Sequence, residues 1–93
     1  MIGKRLGIDE TGKLVIDYSQ TSGNYGYGKF GQDIEAHWWA HVPAVGFGWG
    51  RLCDHSIVEH EDGTITASPS ILVSGAHGKQ WHGYLERGVW REC

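Results

Sequence analysis

Cysteine is scarce in this 93-residue chain: there are two, too few for a disulfide framework, and metal binding or simple burial are the uses left for them. Proline is equally sparse, so no stiff linker divides the chain, and its length suits one domain spanning residues 1–93. No run of 18 apolar residues and no basic-then-apolar leader is present, which excludes a spanning helix and a secretory signal and leads us to expect a cytoplasmic protein without membrane partners. Positive charge is thin: eight Lys and Arg are scattered against eleven Asp and Glu, for a net charge of -3. Nucleic-acid binding through phosphate neutralisation needs clustered bases, so it is not expected.

What the chain does have is glycine, aromatic residues and histidine: fifteen Gly, five Trp, four Tyr, two Phe and six His. Glycine at this density with short β-branched runs describes a turn-rich β protein. Lys4–Tyr18 reads as a hairpin around Glu10-Thr11-Gly12, and Ser56–Ala67 as a second around Asp62-Gly63, one of the strongest short hairpin signals. Ser68-Pro69-Ser70 interrupts before a short Ile71–Val73 strand, and Trp81–Cys93 forms a last hairpin through Gly88. Ala44–Arg51 alternates Val45, Phe47 and Trp49 with glycine, as a strand would. Ser19–Gly31, with its glycines, reads as a loop or an irregular extended segment. Residues 33–42 are ambiguous, because His37 and His41, and Ile34, Trp38 and Val42, also match one helical face before Pro43. The fold class expected is all-β or β-dominated, about six short antiparallel strands in hairpins, with residues 33–42 the one place for a short helix.

Two pairs of candidate metal ligands follow from strand geometry. If the last hairpin turns through Arg87-Gly88, Glu86 faces Val89, and counting outward puts His82 across from Cys93 on one face. A turn one residue longer would put Trp81 there instead. Cys53-Asp54-His55 offers a thiolate and an imidazole on alternate residues of one face, and His77, between glycines, is a spare ligand in place of His55. Two such pairs brought together would make a Cys₂His₂ zinc site, and a chain this small would gain folding free energy from closing it. A nucleophilic use of Cys53 or Cys93 lacks a recognisable cleft.

The segment Glu59-His60-Glu61-Asp62-Gly63-Thr64-Ile65-Thr66-Ala67-Ser68-Pro69-Ser70-Ile71, followed by His82-Gly-Tyr-Leu-Glu-Arg-Gly88-Val-Trp-Arg-Glu-Cys93, resembles a family of small phage and bacterial proteins of unassigned activity. Its members carry an H-D-D-G-T-x-T-x-S-P-S-I segment and a closing G-x-V-x-x-C hairpin. The resemblance implies zinc binding, through a Cys-x-Cys element upstream and a Cys just before the histidine. Here Cys53-Asp54-His55 stands nearer the hairpin than that element, and no cysteine precedes His82, for which His77 is the nearest substitute. It also implies a phage-encoded factor in the host cytoplasm, or one in the virion.

A domain this small cannot enclose five tryptophans and six further Tyr and Phe rings completely. Exposed Trp and Tyr are enriched at binding hot spots, so Tyr25, Tyr27, Trp38, Trp39 and Trp49 are expected to form a partner-binding surface, for another protein or for self-association. Three functions from different classes follow: a zinc-stabilised β domain that binds a protein of the host or its defences, a structural component of a phage particle, and a hydrolase using metal-bound water. The balance leans away from an enzyme.

Overall fold

The computed structural model describes residues 1–93. Its regular structure is almost wholly antiparallel strand: β1 (Tyr25–Gly28), β2 (His37–His41), β3 (Trp49–Arg51), β4 (Ser56–Glu59), β5 (Ile65–Ser74), β6 (Gln80–Glu86) and β7 (Val89–Glu92). A single 3₁₀ turn, Ala76–Gly78, joins β5 to β6, and no helix is long and apolar enough to cross a membrane. The β-dominated architecture expected from the sequence is therefore the one observed, with seven strands in sheets of order β1-β2-β3 and β4-β5-β6-β7.

Three local readings change. Residues 33–42 hold no helix: His37–His41 is a strand, because Tyr25–Gly28 and Trp49–Arg51 flank it on both sides and its Trp-rich run suits a pleated surface. Tyr25–Gly28, within the segment read as loop or irregular extended chain, is a regular strand on one of those sides. Its glycines make room for other segments: a Cβ on Gly26 would meet Leu14 Cδ2 at 2.7 Å. Ser68-Pro69-Ser70 does not interrupt β5, which runs through it with an irregularity in its pairing to β6 between Ala67 and Ile71.

The core lies between the sheets. Tyr25, Ala40, Val42 and Leu52 of the three-stranded sheet and its margins meet Ile65, Ala67, Ile71, Trp81, Leu85 and Trp90 of the four-stranded one. Ile65 and Leu85 are completely enclosed, and Trp81 and Trp90 meet edge to face at 5.5 Å. In β6 the pattern alternates strictly, Trp81, Gly83 and Leu85 inward and His82, Tyr84 and Glu86 outward.

The N-terminal arm clasps the sheets together. Met1 exchanges backbone hydrogen bonds with Trp90, and Gly3 N–H donates to the Gly88 carbonyl at 2.7 Å, which extends the four-stranded sheet beyond β7. A few residues on, Tyr25 N–H donates to Lys4 and Leu6 N–H to Tyr25, so the same arm runs parallel along β1. The hairpin that follows closes through Asp9 N–H to Lys13 and the Ile8–Leu14 bridge, as its turn residues suggest.

Candidate functional site

The expected metal ligands do not assemble as a set. The register that would put His82 across from Cys93 is present: Glu86 faces Val89, Gly83 faces Glu92, and Cys93 N–H donates to the His82 carbonyl at 2.9 Å. His82 Nε2, however, is hydrogen-bonded to Ser70 Oγ at 2.8 Å, and His55 donates from Nε2 to the Ser70 carbonyl at 3.2 Å. Both imidazoles thus gather at Ser70, each engaged through Nε2, while His55 Nδ1 is buried without a hydrogen-bond partner. Cys53 is exposed in the turn before β4. His77 sits apart, exposed on the β5–β6 connection with a left-handed backbone, φ 58°. No three His, Cys, Asp or Glu side chains are grouped so as to hold one ion. As placed, the five candidate ligands do not form a four-ligand site.

Ser70 and His82 lie at the distance of a nucleophile and its base, yet on the outer face of the sheet and with no carboxylate hydrogen-bonded to the other ring nitrogen. The carboxylates held below their ordinary range do turn work instead. The hydroxyls of Thr11, Ser19 and Thr64, followed by backbone N–H groups, stabilise the ionised forms of Asp9, Asp17 and Asp62.

The aromatic residues divide in a way period-two geometry dictates. Tyr25 is 1% exposed and belongs to the core, where burial pushes its phenol up, so it is withdrawn from the expected partner surface. Tyr27 faces Trp38 across the β1–β2 ladder on the inter-sheet side, with ring centroids 5.3 Å apart. The Arg5 guanidinium lies 5.1 Å from the Trp38 ring and also pairs with Glu59 and donates to the Gly63 carbonyl. This group seals the margin of the core.

Trp39 and Trp49 point the other way, out of the sandwich. Phe30 stacks on Trp39 at 4.8 Å and tilts against Trp49 at 5.9 Å, and the His41 ring meets Trp49 edge-on at 5.6 Å. His41 donates from Nδ1 to the Val42 carbonyl at 2.8 Å, which fixes its ring beneath the patch. Leu6, Ile8 and Leu14 cover the β1 end of this outer face by packing over Gly26 and Gly28. The β2–β3 end carries Phe30, Trp39 and Trp49, all half-buried, with exposed Arg51 opposite Trp39. Trp39 Nε1 has no hydrogen-bond acceptor in the chain. Phe30, His41 and Arg51 were not among the residues expected to bind a partner. The alternation Trp39, His41 and Trp49, Arg51 was the signal that groups these four, and only Phe30 falls outside it. Comparisons of the chain with protein-family models, with curated proteins and with solved structures found no match.

Proposed function

We propose that the protein is a binding domain that engages another protein through the outer aromatic face of its three-stranded sheet. The carrying observation is the ring cluster Phe30–Trp39–Trp49–His41, assembled from three chain segments outside the main core and left half-covered. Rigid aromatic rings with little rotamer entropy to lose and an exposed Arg at the rim are what a hot spot uses. Unlike a catalytic site, such a surface needs no cleft. The proposal does not depend on zinc, for which no three ligands are grouped.

The test is a comparative capture from native cells using wild-type protein, a Trp39→Ala/Trp49→Ala double variant and a Val58→Ala control on the other sheet, each shown to be folded by circular dichroism. A partner retained by wild type and control and lost with the double variant is expected. An unchanged set of bound proteins across all three would refute the proposal.

A further inference from the structure

The two sheets are clasped along one side by the N-terminal arm, but along the other side only hydrogen bonds at either end join them, and β5 is half covered there. β4 pairs with Ile65–Ser68 and no further, so from Ser70 to Ser74 β5 is paired on one side only, to β6. His82 faces Leu72, and its carbonyl accepts from Cys93, so in this ladder the backbone groups of both His82 and Leu72 point away from each other. The N–H and C=O of Leu72, and by alternation those of Ser74, are therefore turned to the open side, where no backbone or side-chain partner meets them. Across the opening, Leu52 N–H donates to Trp38, which orients Leu52 and Gly50 toward β2 and leaves the backbone groups of Trp49 and Arg51 facing outward. The opening is bounded at one end by the Ala76 N–H to Gly46 carbonyl bond and at the other by His55 on the Ser70 carbonyl.

Between these edges lies a cavity of about 180 Å³ walled by Ala40, Val42, Leu52, Ile71 and Val73. A space of this order holds a benzene-sized apolar body. Arg51 and Asp54 stand at its rim, both exposed and neither in an ion pair.

We infer that this opening is a strand-acceptor site for a short extended segment of another protein. The segment pairs with Leu72 and Ser74 of β5 and places one branched aliphatic side chain in the cavity. An acidic residue of the segment lies toward Arg51 and a basic one toward Asp54, since opposite charges at the two rims fix its direction. Backbone pairing supplies affinity and the single pocket supplies selectivity. The site borders the aromatic face and shares Arg51 with it, but it is argued from the open β5 edge and the cavity and stands without the aromatic rings.

The test uses the full chain and the peptide Ac-Thr-Glu-Thr-Leu-Thr-Lys-Thr-NH₂, followed by amide NMR and hydrogen exchange. In the free protein the Leu72 and Ser74 amides are expected to exchange fast beside slow Ile71 and Val73. Bound peptide should slow Leu72 and Ser74 by about tenfold or more. Replacing the peptide's central Leu with Asp, or N-methylating its backbone, should weaken binding by about tenfold. On the protein side, Gly50→Val is expected to do the same. A Cβ there meets nothing closer than Ala40 O at 3.8 Å and Val73 Cγ1 at 3.9 Å, so the backbone is undisturbed while the methyls fill the mouth. No perturbation of Leu72 and Ser74 at millimolar peptide would overturn the inference, as would perturbation centred on Trp39 and Trp49. Slow Leu72 and Ser74 amides in a free protein of dimer mass would also overturn it, in favour of pairing between two copies. Equal binding of the peptide with Glu and Lys exchanged would overturn the assigned direction.

Discussion

Gly3→Ala tests the clasp that joins the two sheets. Gly3 lies where the arm passes from β7 to β1, and a Cβ there would run into the Gly23 carbonyl oxygen, with Trp90 Nε1 at 2.8 Å and Tyr25 Cε1 at 3.1 Å. None of these can retreat cheaply. Trp90 Nε1 itself donates to the Gly23 carbonyl at 2.8 Å, and both rings belong to the core. Overpacking of this kind costs about 1–3 kcal/mol. The alternative is to lift the arm, losing the Gly3–Gly88 bond and the two Met1–Trp90 bonds at about 0.5–1.5 kcal/mol each. The three bonds together come to about 1.5–4.5 kcal/mol, so the cheaper route sets a cost of about 1–3 kcal/mol, and for a domain of this size a lower Tm by about 4–24 °C. Gly7→Ala in the same arm is the control, because its Cβ would meet nothing within 4 Å. It should stay within about 0.5 kcal/mol of wild type. Urea unfolding followed by tryptophan fluorescence reads both. If Gly3→Ala unfolds at the wild-type midpoint, the arm is not a clasp and the close approach at Gly3 has been misjudged.

Core and patch should separate in stability. Leu85→Ala, at a completely enclosed site, is expected to lose about 2–5 kcal/mol, whereas Trp39→Ala on the half-covered face should lose clearly less in the same unfolding assay. Acid should weaken the protein through its turns. Asp9, Asp17 and Asp62 have folded pKa values below the ordinary 3.8, so their contribution is complete above that value and is lost as pH falls through the folded values. Asp9→Asn and Asp62→Asn should therefore flatten the stability profile below pH 3.8 and leave its slope near neutrality unchanged, as measured by urea midpoints across pH. Equimolar Zn²⁺ or a chelator should leave Tm unchanged, whereas a rise of several degrees that Cys93→Ser abolishes would show that His82 and Cys93 are recruited as ligands.

The parts of the fold that follow from nearest neighbours along the chain were legible. Asp62-Gly63 turns its hairpin, and Arg87-Gly88 sets the register that brings His82 opposite Cys93. Parts that depend on what packs against a segment were not. Tyr25–Gly28 carries glycine at every second position, a pattern that reads as loop or irregular extended chain until Leu6, Ile8 and Leu14 are seen to fill the space the missing side chains leave. Residues 37–41 match a helical face and a strand equally well, and only the strands on both sides decide between them. Nor does spacing show that Ser70 intercepts both His55 and His82, because Ser70 comes to them through the irregular stretch of β5 that the Pro69 segment seemed to break. The five aromatic residues expected on one surface do not share one: Tyr25 lies in the core, Tyr27 and Trp38 at its margin, and Trp39 and Trp49 on the outer face. Their division between core, margin and outer face became readable only once β1 and β2 were paired.

The most direct test of the binding face is site-specific photo-crosslinking in native cells, with benzoylphenylalanine placed at the positions of Phe30 and Trp49 and, as a control, at Val58 on β4. Discrete products with one partner protein from Phe30 and Trp49, absent from Val58, are the result the account requires. Products from Val58 alone, or the same weak and unselective products from all three positions, would contradict it.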